Sequence, residues 1–140
     1  MVRQGRAKEA DSHAWSSRRQ DAIAFRTAAD HLLAAAQEGQ NCNPIIVLVA
    51  HAAIAYGDAL TARFGGVLNR DKHEDLVTRV KTAMKGKADG PQLKRLAELL
   101  ADKTAYSYGA KIGRTVDAQD KFQKLQRFAE WAEQQLTNAT

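Results

Sequence analysis

The stretch from Asn43 to Arg63, NPIIVLVAHAAIAYGDALTAR, narrows the fold more than any other part of the chain. Ile45 to Val49 are apolar without a break, so one face of a helix cannot hold them all. A helix here must be covered on more than one side. Asn43 can accept a hydrogen bond from a first-turn amide, and Pro44 at the first helical position gives up no needed donor. The stretch therefore predicts a central helix, stopped by Phe64-Gly65-Gly66.

What surrounds it reads as helix too. Ala22, Phe25, Ala29, Leu32 and Ala36 draw one apolar stripe from Trp15 until Gly39 ends it. After the central helix, Asp71 and Glu74 match a capping box, with Leu76, Val77, Val80 and Met84 facing inward. A joint from Lys85 to Pro91 leads to a face of Leu93, Leu96, Leu100 and Lys103 that ends near Tyr108 and Gly109. The last helix carries Ala118, Phe122, Leu125, Ala129, Ala132 and Leu136.

Strand signals are lacking, and alanine dominates an apolar content of 44% with only 6% aromatics. The expectation is all-α: an antiparallel up-and-down four-helix bundle with an additional fifth helix. Residues 1–14 are expected to be a flexible basic leader and residues 15–138 a single domain.

The net charge of +5 favours an anionic partner, and Arg3, Arg6, Lys8, Arg18 and Arg19 concentrate it near the start. A single cysteine, Cys42, excludes an intrachain disulfide and a cysteine metal cage. His13, His31, His51 and His73 are too widely spaced to share a metal on one helix, and no phosphate loop is present. No metal and no cofactor are implied. The apolar run from Ile45 to Ala55 is too short to span a bilayer, so a cytoplasmic protein without membrane association is expected.

His51 and Asp58 lie two turns apart on one face of the most apolar helix, and a buried charge there needs partners. Lys103 interrupts an apolar stripe just before two tyrosines. The joint after the central helix brings His73 back toward Asp58. These residues suggest an anion-binding pocket of Asp58, His73, Lys103 and Tyr108. Phe128 and Trp131 widen the last helix's apolar face as core or as a dimer seam.

Three stretches, HAAIAYGDALTARFGG, RDKHEDLV and LLADKTAYSYGAKIGRTVDAQDKFQKLQRFAEWAEQQL, resemble the HEPN superfamily of small helical bundles found in defence and toxin systems. The matching elements are Asp58, Asp71 with His73, and Lys103 with Tyr108 and Gly109. The resemblance implies homodimerisation, a nucleotide or RNA ligand, and a nucleotidyltransferase or antitoxin partner. It also implies metal-independent RNA cleavage where an arginine and a histidine, four to six residues later, sit on a late helix. Here no histidine follows His73, and Arg26 with His31 has the spacing only on the first helix. The leading expectation is a non-catalytic binding module for a nucleotide-like or other anionic ligand. A divergent ribonuclease using His73 as acid or base and Arg70 or Lys103 for the phosphate charge is the alternative, and a purely structural dimerising protein a third.

Overall fold

The computed structural model describes residues 7–9, 13–69 and 75–138 of the chain. Five helices make up the body: α1 (Ala14–Ala35), α2 (Asn43–Gly65), α3 (Leu76–Met84), α4 (Gly90–Ser107) and α5 (Thr115–Asn138). Two three-residue strands, β1 (Ala7–Glu9) and β2 (Val67–Asn69), pair antiparallel with Lys8 opposite Leu68. The chain had offered no strand signal. The pairing takes three residues of the expected leader and lays them beside the end of α2. The capping residues Asp71 and Glu74 lie outside the described residues.

α2 is the hub, packed against α1, α3, α4 and α5. Sixteen of its residues are buried, among them the fully enclosed Ile46, Val49, Tyr56 and Leu60. By length and composition α2 would suffice to cross a membrane, which the shorter apolar run in the sequence had not indicated. However, 83% of its apolar window is already covered by the other helices, the situation of a core helix. Gly66, at φ 69°, turns the chain off α2 in the left-handed region where a Cβ is costly, and its N–H closes on Ala62 O.

Asn43 does not cap α2. Its Oδ1 accepts the Gly113 N–H at 2.7 Å, and its Nδ2 donates to Lys111 O at 2.8 Å. The α4–α5 joint is thereby pinned to the start of the central helix. The amide of Asn43 is instead satisfied by Asn41 Oδ1. α1 ends at Ala35, short of Gly39, where Gln37 O and Gly39 O receive Thr115 Oγ1 and Arg114 Nη1.

Side-chain partners give the helix directions. Arg18 meets Asp58 and Phe25 stacks on His51, so α1 and α2 run antiparallel. Lys121 with Asp102 and Lys124 with Glu98 set α5 antiparallel to α4. Tyr56 with Glu133, and Cys42 near Thr115, set α5 parallel to α2. α2 and α5 therefore meet across the interior, while α1 and α4 stand apart on either side. The last helix buries the whole expected stripe, together with Phe128 and Trp131 as core. On α4 the inward face is Leu96, Leu99, Asp102 and Tyr106; Leu100 and Lys103 sit at its edge. On α1, Leu32 is exposed.

Candidate functional site

The strip of α2 between α1 and α4 is covered unevenly. α3, only nine residues long, packs over Gly57, where a Cβ would come within 2.6 Å of Leu76 Cδ2. The N-terminal half of the strip stays open as a groove of about 790 Å³. Pro44, Val47, Leu48 and His51 form its floor, with Phe25 on one wall and Tyr106 on the other.

His51 lies against Phe25, ring centroids 5.4 Å apart and planes 25° apart. Burial pushes its imidazole below the ordinary value, and the cations of Lys103 and Arg18 push it the same way. The imidazole thus feels a positive charge from each flanking helix, Arg18 of α1 and Lys103 of α4. Two turns along α2, Asp58 is 6% exposed, and its Oδ2 accepts Arg18 Nη2 at 2.9 Å. Its Oδ1 is buried without a hydrogen-bond partner. Burial pushes this carboxyl up to about 6, against the pull of Arg18. Arg18 also reaches Asp21 at 2.7 Å on the outside of α1.

Of the four residues expected to share a pocket, three lie among the described residues, and each of these has a different setting. Asp58 is held by α1, an arrangement in which Lys103 and Tyr108 take no part. Lys103 acts instead on His51. Tyr108 is 83% exposed at the end of α4, and the tyrosine that lines the groove is Tyr106, one half-turn earlier. The α4 stripe runs through Leu99 and Asp102 to Tyr106, which turns Tyr108 outward. Arg70 and His73 lie outside the described residues.

Two of the site's residues were not singled out in the sequence: Arg18 stood only among the positive charges near the start, and Phe25 only in the apolar stripe of the first helix. The spacing held the clue: Arg18 and Phe25 are separated by the same seven residues as His51 and Asp58. Arg19 was likewise not a free charge. Its guanidinium grips Glu133, which also accepts the Tyr56 hydroxyl at 3.0 Å. Among the described residues, no three His, Cys, Asp or Glu side chains are placed to hold a metal.

No protein-family model, curated protein or solved structure matches the chain.

Proposed function

We infer that the protein is a binding module of the HEPN-like bundle type, with α3 as the additional helix, that takes a flat organic anion of the nucleotide class in the α1–α2–α4 groove and performs no chemistry on it. The observation that carries this reading is the Phe25–His51 stack flanked by Lys103 and Arg18. Half-buried rings offer a π-face to a base, an interaction worth about 1–3 kcal/mol in single-stranded nucleic-acid sites. The Lys103 ammonium suits a phosphate through charge-assisted hydrogen bonds, while Arg18, held by Asp58 and Asp21, adds only its longer-range field. Burial, with the same cations, disfavours the charged imidazole, and among the described residues no carboxylate is hydrogen-bonded to it, which argues against its use as a general acid.

Tyr108, Ile112 and Val116 project at the same end of the molecule, 58–83% exposed. This apolar surface supports an accompanying protein contact, whether with a second copy or with an antitoxin or nucleotidyltransferase partner.

A thermal-shift series with nucleoside monophosphates tests the ligand. A nucleotide at about 100 times its Kd should stabilise the fold by about 2.7 kcal/mol. The shift should vanish in His51→Ala and Lys103→Gln. Absence of any shift, or a shift untouched by Lys103→Gln, rejects the reading. The catalytic alternative rests on Arg70 and His73; RNA cleavage that survives EDTA and disappears in His73→Ala would establish it.

A further inference from the structure

A second hollow, of about 560 Å³, lies between α3 and the last turn of α2. It is built from the outward face of α3. Asp75, Thr78, Arg79 and Thr82 recur at helical spacing on that face, while Leu76, Val80 and Met84 anchor the opposite one in the core. Lys85 closes the helix end, and Phe64 with Gly65 of α2 forms the facing wall.

Two features single out this hollow. Arg79 Nε is buried and has no hydrogen-bond partner, although such a donor is normally satisfied. Lys85 adopts φ 51°, alone among the described non-glycine residues in having positive φ. Glycine would take that position without steric cost, so the lysine holds strained backbone that its side chain does not need for packing.

We propose that the α3 hollow is a binding site for a small organic anion carrying its own hydroxyl donors, such as a phosphorylated polyol. Arg79 and Lys85 receive the anionic group, with Thr78 and Thr82 donating hydroxyl hydrogens to it. Among the described lining residues, the two cations against Asp75 leave a net charge of +1. Asp75 and the carbonyls at the end of α2 accept from the ligand's hydroxyls, since a helix C-terminus presents unpaired acceptors. A bare anion uses only half of this lining. The site shares no residue with the α1–α2–α4 groove, so it stands whether or not that groove binds a nucleotide.

Calorimetric titration with glycerol 3-phosphate and with inorganic phosphate tests the assignment on the full chain. Glycerol 3-phosphate should bind saturably and more tightly than phosphate. Arg79→Gln should weaken it by at least about tenfold, while Lys103→Gln leaves it within about twofold. Lys85→Gly is the decisive second variant: relief of the left-handed strain should raise Tm while the affinity falls. Binding lost in Lys103→Gln but kept in Arg79→Gln would place the anion in the groove and overturn the proposal. No saturable binding of either probe, or Lys85→Gly binding as tightly as the parent, would also overturn it.

Discussion

Asn at position 58 should change how stability depends on pH, and the size of the change follows from the site. Asp58 is 6% exposed and keeps one oxygen unpaired, while Arg18 holds the other. Burial raises the carboxyl from 3.8 to about 6, and Arg18 offsets only part of that rise. Among the described residues, no charged group from α3, α4 or α5 adds to the balance. With its folded value above its unfolded one, Asp58 binds its proton more tightly in the native state. Stability from this group is therefore greatest in acid and declines as pH climbs from about 4 through 6. The gap between 3.8 and about 6 corresponds to about 3 kcal/mol, at about 1.36 kcal/mol per pH unit. Between pH 5 and 7.5 the decline should be about 1.4 kcal/mol. Asp58→Asn cannot titrate, so urea unfolding of parent and variant at both pH values isolates the contribution. His51 and Asp102 titrate in both proteins and cancel in the comparison. Relative to the parent, the variant should gain about 1.4 kcal/mol on going from pH 5 to 7.5. Parallel stability profiles would refute the claim that this carboxylate is desolvated.

Three further outcomes test separate contacts. Lys103→Gln should move the His51 titration upward when followed by imidazole NMR, because one of the two cations lowering it is gone; an unchanged midpoint would mean that α4 does not face His51. Gly57→Ala should destabilise the fold by about 1–2 kcal/mol in chemical denaturation, since forcing a Cβ against the enclosed Leu76 outweighs the gain in helix propensity of about 1 kcal/mol. Asn43→Ala should cost about 1–3 kcal/mol in thermal unfolding, because it strands the Gly113 N–H and the Lys111 carbonyl.

The helical body was legible because its signals were local. Period and run length located α2 and α5, and the α5 stripe Ala118, Phe122, Leu125, Ala129, Ala132 and Leu136 is buried in full. Errors arose where two adjacent apolar residues compete for one inward position. Leu99 and Leu100 both fit a helical period; Leu99 faces the core, which rotates the stripe onto Asp102 and Tyr106 and leaves Lys103 at the edge. Once that rotation is made, Asp102 finds Lys121 of α5 at 3.3 Å, and Tyr108 turns outward. The β1–β2 pairing was illegible for a different reason. Three-residue strands carry no measurable alternation, and the partners Ala7–Glu9 and Val67–Asn69 are far apart in sequence.

The polar stripe on α2 shows where reading one helix reaches its limit. His51 and Asp58 announce that the most apolar helix requires partners, but nothing within α2 says which helix supplies them. The answer depends on how far two antiparallel helices slide past each other, and the joint from Ala36 to Cys42 fixes that offset through the contacts of Gln37, Gly39 and Cys42 with the start of α5. With the offset set, seven residues on α1 span the same two turns as seven on α2, so Phe25 reaches His51 and Arg18 reaches Asp58 together. A slip of one residue would rotate both α1 side chains by about 100° and leave the carboxylate buried without its guanidinium. The ion pair thus contributes register as well as charge compensation, and the same register sets Phe25 against His51 in the groove.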